Sequence, residues 1–580
     1  MEAKQKFMEV LNLDNVNDLS ENPNANRGGS FKCVETILQE VFNKQKEELG
    51  MSMLYDFIPE SKREKTTELI DEGALYIHDR TNILIPYCVS LDLSRLLNET
   101  TNFGRLNTKP VQRIDSYLST VGDAVTQFAF YVAGAIGIGT LFMDVAHLMR
   151  DKHQWSVEQV KYDPEIRKYL TNEYQQLVHN LNYFSRGTES AFTNLSIFDE
   201  KILESLEGMD DELIAYTIEA QKVFLTFFNQ GDPSADGLPY TFPIVTINSS
   251  DVDSDFMAFV SGLDFSRYNF FMNKEAKFAM CCRLQTDSEF MRDLGGSANS
   301  FGASPATIGS HRVVTINFNN LALQSFSLEH YYQLVKERCT DATVILKAHK
   351  DLLHYLHSQG VQPLIEHGWI NMNRMFSTIG VIGLYEASRT LISKFVVTKD
   401  QIETTLDICN DLIYQLSRDF GLVLNIEQVP GEAVRFSLCN KDKQKYGPDL
   451  VPYDFYANQF VPLTSSVRLF DKIDIEGGYY ESLTGGGIAH LRLPDRPSPS
   501  QFRRILKYAL RAGCGHIAFS VVYSICAHDH VTLGKLDVCE KCGSEIVDYY
   551  ERIVGYFQRV SSWGVNSRTK DFKNRKFLIQ

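Results

Sequence analysis

Residues 551–560 read ERIVGYFQRV, and in this segment one glycine, Gly555, interrupts a run of β-branched and aromatic residues. Such residues favour extended backbone. A glycine among them usually marks a bulge or a point where another part of the chain comes close. Taken alone, Gly555 is interpreted as a structural glycine, and the segments around it decide whether that interpretation is sufficient.

A Cys/His stretch lies directly upstream, where residues 524–545 read SICAHDHVTLGKLDVCEKCGSE. Zinc takes four thiolate or imidazole ligands in a tetrahedron, so the C-x-x-C pair Cys539 and Cys542, with Cys526 and one histidine, predicts a structural zinc site. His530 would give the roomier loop and His528 the tighter one, and both remain open. The alternatives are an exposed turn with incidental cysteines and a redox C-x-x-C, for which a thioredoxin-like βαβ context is missing.

Composition narrows the class of protein. The chain has 580 residues and a formal net charge of −15, which argues against a nucleic-acid polymer as partner, because that binding is driven by Lys and Arg displacing counterions from phosphates. No secretory signal is visible. The longest uncharged apolar run, residues 128–143, is shorter than the roughly 18 to 20 residues of a membrane span. With eleven cysteines, an odd count, the sequence predicts a cytoplasmic protein with free thiols.

Strand and helix patterns alternate over most of the chain, which predicts one large α/β body. Apolar residues at steps of three and four predict helices at 33–49, 210–231, 328–360 and 400–421. Short β-rich runs predict strands at 74–79, 238–250, 311–323, 421–429 and 515–525. Gly134, Gly137 and Gly139 do not fit G-x-G-x-x-G, so they are interpreted as sites of close helix packing, and no P-loop is present.

Cysteines also occur at two positions outside the Cys/His stretch. Cys88 lies in GALYIHDRTNILIPYCVSLDLSRLL (residues 73–97) among apolar residues, and Cys281 and Cys282 are adjacent in KFAMCCRLQ (residues 277–285). A buried cysteine is ordinarily a small hydrophobe. From the residues alone, both positions remain open between core packing and chemistry.

Taken together and in order, these segments resemble a known family. Arg552-Ile553-Val554-Gly555-Tyr556 resembles the R-V-x-G-Y signature of glycyl-radical enzymes. Residues 73–88 resemble the G-x-I-H-I-H-D and Y-C segments of anaerobic (class III) ribonucleotide reductases, and residues 280–283 resemble the M-G-C-R segment of its formate-using members. Further blocks follow in the family's order from about residue 20. The sequence thus resembles the catalytic subunit of that family.

The resemblance implies a fold and a division of the chain. The implied fold is a ten-stranded α/β barrel of two antiparallel five-stranded halves, followed by a small C-terminal zinc module. Residues 1–520 would form the barrel, with a helical N-terminal region and a dimer and effector surface. Residues 521–547 would form the zinc module and residues 548–580 the glycyl-radical loop and tail. A separate ATP-sensing N-terminal domain is not expected.

The resemblance also implies roles for individual residues. Gly555 would carry the radical, because a radical at its Cα is delocalised between the amide nitrogen and the carbonyl, and the missing side chain lets that centre flatten. Cys88 would become a thiyl radical that attacks the ribose, and Cys282 would deliver a hydrogen atom and an electron. Glu427 is a candidate for proton movement near the ribose hydroxyls, and its alternative is a surface charge at a strand end.

Partners follow from the same resemblance. They are a radical S-adenosylmethionine activase, ribonucleoside triphosphates as substrate, deoxynucleoside triphosphate or ATP effectors, formate as co-substrate, and a second copy of the chain in a homodimer. Two departures stand out: Cys281 replaces a usual glycine, and Ser310-His311-Arg312 replaces Gly-Asn. Two alternative functions are a glycyl-radical lyase of the pyruvate formate-lyase type and a zinc-containing nucleotide-binding protein without radical chemistry.

Overall fold

The computed structural model describes residues 32–102, 107–186, 189–206, 208–273, 278–279, 285–286, 308–395, 397 and 400–579. Helices and strands alternate along this chain. The α-helices span Lys32–Phe57, Glu60–Asp71, Arg95–Asn98, Ile114–Phe128, Leu141–His147, Val157–Tyr162, Pro164–Asn182, Glu200–Glu204, Asp211–Phe228, Asp255–Val260, Phe318–Gln324, Leu328–Ser358, Pro363–Glu366, Leu384–Phe395, Ile402–Phe420, Val434–Tyr446, Leu469–Tyr480 and Pro499–Arg511. Short 3-10 turns lie at Arg80–Asn82, Pro233–Ala235, Phe265–Arg267, Met372–Arg374 and Val560–Ser562, and π turns at Leu148–His153 and Ser567–Phe572.

The strands are numbered here in chain order. They are β1 Leu75–Ile77, β2 Cys88–Ser90, β3 Thr101–Asn102, β4 Asn107–Thr108, β5 Ile136–Gly137, β6 Phe184–Arg186, β7 Glu189–Ser190, β8 Thr193–Phe198, β9 Ile244–Ser249, β10 Asn269–Met272, β11 Phe278–Ala279, β12 Gln285–Thr286, β13 Gly309–Asn317, β14 Met375–Ile382, β15 Leu424–Gln428, β16 Ala489–Arg492, β17 His516–Ser520, β18 Tyr523–Cys526, β19 Val531–Leu533, β20 Ile546–Arg552 and β21 Phe557–Arg559.

One large sheet organises the molecule, in the order β15-β14-β13-β2-β5-β8-β9-β10-β17-β16, with β1 paired to β13. Strands β2, β5, β8, β9 and β10 pair in parallel with one another, as do β13, β14 and β15 and also β16 and β17. The pairings of β2 with β13 and of β10 with β17 are antiparallel. In addition, Glu427 of β15 forms a parallel bridge with Gly486, which lies three residues before β16.

The two faces of the sheet differ in chemistry, because successive side chains on a strand point to opposite faces. Apolar strand residues such as Leu195, Ile247 and Ile426 join the main hydrophobic core, together with apolar residues of the helices. Their neighbours on the other face are polar and buried, among them Asn194 and Asn425. Helices therefore cover one face, and the other face presents buried polar groups.

Local chemistry sets the ends of the predicted helices. Asp210 and Ser327 act as N-caps by accepting hydrogen bonds from the backbone N–H of Leu213 and His330, which satisfies donors that the first turn leaves unpaired. Gly421 ends the helix Ile402–Phe420 at φ +61°, a conformation that L side chains rarely adopt. The helices predicted at 33–49, 210–231, 328–360 and 400–421 are confirmed within a few residues, except that the first extends to Phe57.

Two strand predictions need correction. The segment 311–323 was predicted as one strand, but β13 ends at Asn317 and a helix follows, because the Asn317 side chain accepts from the Asn320 N–H and caps it. The segment 515–525 was also predicted as one strand, but it divides into β17 and β18, which belong to different sheets. Strands β1, β9 and β15 lie within their predicted ranges.

For Gly134, the interpretation as a site of close helix packing was wrong. Gly134 lies between a helix end and β5, and a Cβ added to it would come 2.8 Å from the Cys88 Sγ and 3.0 Å from the Tyr87 carbonyl oxygen. The glycine therefore permits the close approach of two adjacent backbone segments rather than of two helices. Within the described residues, no helix has the length and apolar character needed to cross a membrane.

A smaller four-stranded sheet, in the order β19-β18-β20-β21, follows the large one. It carries the Cys/His stretch on β18, β19 and the following turn, and β20 runs directly into the loop that contains Gly555. The last residues then return to the body: the backbone N–H of Leu578 donates to the Arg492 carbonyl at 2.8 Å, and that of Ile579 donates to the Val467 carbonyl at 3.1 Å. The Gly555 loop is thus held between the small sheet and a tail that packs on the large one.

Candidate functional site

Cys88 is the first residue of β2 and is partly exposed. Its thiol accepts a hydrogen bond from the Ala135 N–H at 3.2 Å, and the missing side chain of Gly134 leaves the space for it. On the other side, Cys88 is in register with Ser310 of β13. Neighbours on both adjacent strands therefore fix the position of this sulfur.

A row of residues connects Cys88 to the Gly555 loop. Four residues stand at or just before the first residues of β2, β5, β8 and β9, so they share one edge of this group of parallel strands. In strand order they are Cys88, Ala135, Phe192 and Phe242. The Tyr556 ring contacts the rings of Phe192 and Phe242, with centroids 5.4 and 5.7 Å apart. Adjacent strands are about 4.8 Å apart, so roughly 10 Å separates the backbones of Cys88 and Phe192, which contacts the loop.

The Gly555 loop is buried and tightly closed. Residues 551–557 are all buried, and the Ile553 N–H donates to the Tyr556 carbonyl at 3.1 Å. The Arg552 guanidinium donates to the Gly555 carbonyl oxygen at 2.6 Å. Ile553, Val554 and Tyr556 belong to an apolar cluster with Phe242 and Trp563, so the loop is shielded from water.

Charged groups of the tail clamp the loop from the other side. The Arg575 guanidinium donates to the carbonyl oxygens of Arg552 and Ile553, each at 2.7 Å. It also pairs with Asp571 at 2.8 Å, and Asp571 pairs with Arg435 as well. Burial alone would raise the pKa of Asp571, but the two guanidinium groups outweigh it and hold the pKa well below its usual range.

A second buried ion pair fixes the strand that leads into the loop. The Arg492 guanidinium of β16 donates to both carboxylate oxygens of Glu551 on β20, at 2.8 and 2.9 Å. Both side chains are almost fully buried. Two-point contacts between Arg and a carboxylate restrict geometry as well as adding energy, so this pair joins the small sheet to the large one.

Glu427 lies on the same face of the sheet as Cys88. Cys88 is in register with Ser310, whose hydroxyl is 2.8 Å from that of Thr378, and Thr378 is in register with Asn425 of β15. Glu427 follows two residues later, which returns to the same face. It is only 8% exposed, so the alternative of a surface charge at a strand end is wrong.

The departure at Ser310-His311-Arg312 forms a polar cluster that the sequence did not predict. Arg312 is fully buried. Its guanidinium donates at 2.6–3.2 Å to carbonyl oxygens of the loop that leads to Cys88, namely those of His78, Asp79, Asn82 and Ile85. Its Nε donates to His349 at 3.2 Å, and the His349 Nδ1 is 2.9 Å from that of His311. Arg312 therefore ties the loop before Cys88 to the helix Leu328–Ser358.

Burial keeps the histidines of this cluster neutral. Burial, followed by the charges of Lys350 and Arg312, lowers the pKa of His311 well below its usual value. The same causes, burial and then Arg312, lower the pKa of His349 and bring that of His78 to about 3. The cluster thus contains one cation and neutral imidazoles near neutral pH.

The Cys/His stretch brings four ligand atoms together. Those of Cys526, His530, Cys539 and Cys542 all lie within 4.8 Å of one another, so His530 is the histidine of this group. The Cys526 and Cys542 sulfurs are 3.7 Å apart, near the roughly 3.8 Å expected for thiolates 2.3 Å from one tetrahedral zinc ion.

His528, the other candidate, lies at the edge of this group. Its Nδ1 is 2.8 Å from the Ser544 hydroxyl and 3.6 Å from the Cys542 sulfur. Hydrogen bonds from Ser544 and then from His528 lower the pKa of Cys542 to about 5. The donor set of three sulfurs and one imidazole nitrogen fits zinc.

Cys281 and Cys282 lie outside the described residues. Arg312 was noted in the sequence only as part of a departure from the family's pattern, and the residues that sequence reasoning missed are His349, Arg492 and Arg575. No pattern singled them out, since each gains its meaning from a partner that is distant in the chain.

Comparison with known proteins gives a consistent family. The family model described as "Anaerobic ribonucleoside-triphosphate reductase" matches residues 35–577. The anaerobic ribonucleoside-triphosphate reductase of Enterobacteria phage T4 is 27% identical over 205 residues, which is 32% of this chain and 33% of that protein's length.

Solved structures match nearly the whole chain. A structure named anaerobic ribonucleotide reductase has a TM-score of 0.82 and 22% identity, covering 100% of this chain and 98% of that one. The Thermotoga maritima enzyme with dATP bound in the specificity site has a TM-score of 0.79 and 23% identity, covering 97% of this chain and 99% of that one. The same enzyme with dATP and CTP has a TM-score of 0.78 and 21% identity, covering 97% and 98%. At these identities the matches show a shared α/β fold.

Proposed function

The chain belongs to the anaerobic ribonucleoside-triphosphate reductase family, and on that premise we propose that it reduces ribonucleoside triphosphates to 2′-deoxyribonucleoside triphosphates through a radical stored on Gly555. The family expected from the sequence is confirmed. The observation that carries the residue assignment is the row from the Gly555 loop, through the rings of Phe192 and Phe242, to Cys88.

The proposed fold in detail is a closed barrel of ten strands. Strands β2, β5, β8, β9 and β10 would form one parallel half, and β13 to β17 the other, which runs antiparallel to it. The bridge between Glu427 and Gly486 supports closure, because it joins β15, at one end of the strand order, to a residue three positions before β16, at the other end. The polar face would then line the interior, which puts Cys88 and Glu427 in one chamber. We keep residues 1–520, 521–547 and 548–580 as the proposed barrel, zinc module and radical segment.

The proposed reaction begins with hydrogen transfer. The Gly555 radical takes the hydrogen atom of the Cys88 thiol, and the resulting sulfur radical takes the 3′-hydrogen of the ribose. The 2′-hydroxyl then leaves as water, with a proton whose movement we assign to Glu427. Cys282 gives a hydrogen atom to C2′ and is left as a sulfur radical. Formate restores the Cys282 hydrogen atom, passes its second electron to the oxidised sugar together with a proton from the surroundings, and leaves as carbon dioxide. Cys88 then returns the 3′-hydrogen and regains its own hydrogen atom from Gly555, which restores the stored radical.

The zinc module has a structural role in this proposal. Four protein ligands, Cys526, His530, Cys539 and Cys542, would fill the coordination of the ion and leave no open position for substrate. Bound zinc would supply a rigid cross-link between β18 and the turn before β20. That cross-link would fix the start of the strand that carries the Gly555 loop.

The proposed partners are those of the family. A radical S-adenosylmethionine activase would remove the first hydrogen atom from Gly555. The Thermotoga maritima structures with dATP, and with dATP and CTP, support nucleotides as effector and substrate. We also propose a homodimer and a cytoplasmic location.

Anaerobic activation followed by exposure to air tests the radical assignment. A radical on Gly555 should lead to backbone cleavage there, releasing a short C-terminal peptide that mass spectrometry identifies, and Gly555→Ala should stay intact. Cys88→Ser should keep the radical and form no deoxynucleotide. Product formation from pyruvate instead of a ribonucleoside triphosphate would favour the lyase alternative. Deoxynucleotide binding without any radical would favour the binding-protein alternative.

A further inference from the structure

Arg552 makes an unusual contact with the residue that would carry the radical. Its Nη1 donates to the Gly555 carbonyl oxygen at 2.6 Å, while its Nη2 donates to the Ser266 carbonyl at 2.9 Å. The side chain is almost fully buried and lies over the Phe557 ring, 4.6 Å from its centroid. Its hydrogen bonds therefore connect a buried cation to the carbonyl attached to the Gly555 Cα.

The surroundings of Arg552 leave its charge poorly compensated. Among the described residues, no carboxylate lies within ion-pair distance of its guanidinium, and Asp264, which is nearby, pairs with Arg267 and Arg496 instead. Burial lowers the pKa of Arg552 to about 10, so the group stays charged near neutral pH. In a dry environment of low dielectric constant, such a charge acts strongly on the nearest polarisable oxygen.

The electronic structure of a glycyl radical makes that oxygen important. Spin at the Cα is delocalised when the amide nitrogen donates electron density and the carbonyl withdraws it, and this moves negative charge onto the carbonyl oxygen. A cation hydrogen-bonded to that oxygen interacts more strongly with the radical than with the closed-shell peptide. Only such a differential interaction shifts the equilibrium between two states.

We propose that Arg552 tunes the Gly555 radical, stabilising it and withdrawing spin from its Cα through the hydrogen bond to the Gly555 carbonyl. This inference rests on the proposed function, since it assumes that the radical forms on Gly555. It adds a role for a neighbouring side chain, which would set how readily the stored radical takes a hydrogen atom from a thiol. A less stabilised radical would be a stronger hydrogen-atom acceptor.

Arg575 provides a matched control within the same loop. It is also buried and also donates to loop carbonyls, but to those of Arg552 and Ile553, not to that of Gly555. Replacing Arg575 should loosen the loop without changing the polarity at the radical carbon. A purely structural role for Arg552 would make the two replacements equivalent.

The test compares wild type, Arg552→Gln, Arg552→Lys and Arg575→Gln after anaerobic activation. Electron paramagnetic resonance gives the splitting of the radical by the remaining Gly555 α-hydrogen, and a small added thiol gives the rate of radical quenching without substrate. For Arg552→Gln we expect a larger splitting and quenching about tenfold faster, since a charge-assisted hydrogen bond typically contributes enough for that factor. Arg552→Lys should lie between it and wild type, and Arg575→Gln should keep the wild-type splitting.

Each outcome decides the inference. Wild-type splitting and quenching in Arg552→Gln would overturn it, as would an equal change in Arg575→Gln. If Arg552→Gln forms no radical, Arg552→Lys decides: an altered splitting supports the inference, and a wild-type splitting or a complete loss of radical in this charge-conserving variant overturns it. Absence of any radical in the wild type would instead contradict the proposed function.

Discussion

Replacing Asp571 by asparagine should release the C-terminal tail. Asp571 is fully buried and is the common partner of Arg435 and Arg575, and Arg575 also holds the carbonyls of Arg552 and Ile553. Asparagine has nearly the same shape but no charge, so the buried Arg435 guanidinium would lose its counter-ion and that of Arg575 would keep only Glu551, 3.4 Å away. Removing one partner of a buried ion pair costs about 3–5 kcal/mol.

The retained amide oxygen of asparagine can still accept a hydrogen bond, so we take the lower end of that range. Because about 1.4 kcal/mol corresponds to a factor of ten in an equilibrium constant, the open state of the tail should become about 100-fold more populated. Hydrogen exchange measured by mass spectrometry on the C-terminal peptide reports this opening. The backbone N–H groups of Lys576 and Leu578, which donate to the Leu463 and Arg492 carbonyls, should exchange about 100-fold faster.

Asp471→Asn is the matched control. Asp471 pairs with Arg468, which lies next to the tail through a bridge to Ile579. Both side chains are exposed, at 42% and 70%, and exposed ion pairs contribute only about 0–1 kcal/mol. If tail exchange in Asp571→Asn is no faster than in Asp471→Asn, the buried charges do not hold the tail and the reasoning is refuted.

Three further outcomes are expected. Gly134→Ala should reduce deoxynucleotide formation at least about tenfold at unchanged radical yield, because its Cβ would displace the Cys88 sulfur. The control Gly478→Ala, whose Cβ meets open space, should form deoxynucleotide at the wild-type rate. In zinc-saturated protein, the free energy of unfolding measured with urea should fall as the pH drops below about 6.5. The reason is that the pKa values of His311 and His349 are lowered in the folded state. The unfolded chain therefore binds more protons than the folded chain below that pH. The slope should be shallower in His349→Gln, and an equal slope would contradict this account. Removing zinc with a chelator should make the chain cleavable by trypsin at Lys535 and Lys541. The Cys542→Ser variant should bind less zinc than wild type. The control Cys409→Ser, which alters a buried thiol elsewhere, should bind the wild-type amount.

The sequence predicted best where the signal is local. The helices were predicted from apolar residues three and four positions apart, and the caps that the coordinates identify, Asp210 and Ser327, also lie within a few residues of the N–H groups that they satisfy. The four ligands of the proposed zinc site fall within seventeen consecutive residues. The choice of His530 over His528 needed coordinates, because both spacings suit zinc and only the fold of the turn decides which ring nitrogen reaches the sulfurs.

Contacts between distant segments were not predictable from one sequence. The Gly134 error shows why: a glycine before a short strand looks like any packing glycine until the strand order places it against Cys88. The same holds for Arg312, which contacts a loop more than two hundred residues earlier, and for Arg435, whose partner Asp571 lies 136 residues later in the chain. For these residues the sequence shows which chemical group is present, but only the folded topology shows which residue that group contacts.

The topology also explains how the Gly555 loop comes to lie against the row of residues that contains Cys88. Parallel strands place their first residues along one edge, so Cys88, Ala135, Phe192 and Phe242 form a row although they lie far apart in the chain. The loop adds Tyr556 to that row through contacts between aromatic rings. The rings of Phe192 and Phe242 exclude water without offering a readily abstracted hydrogen atom, because neither ring carries a hydroxyl. Under the proposed function, these two rings would keep water out of the space between the Gly555 loop and Cys88, so the fold would favour hydrogen transfer from the Cys88 thiol over reactions of the Gly555 radical with solvent species.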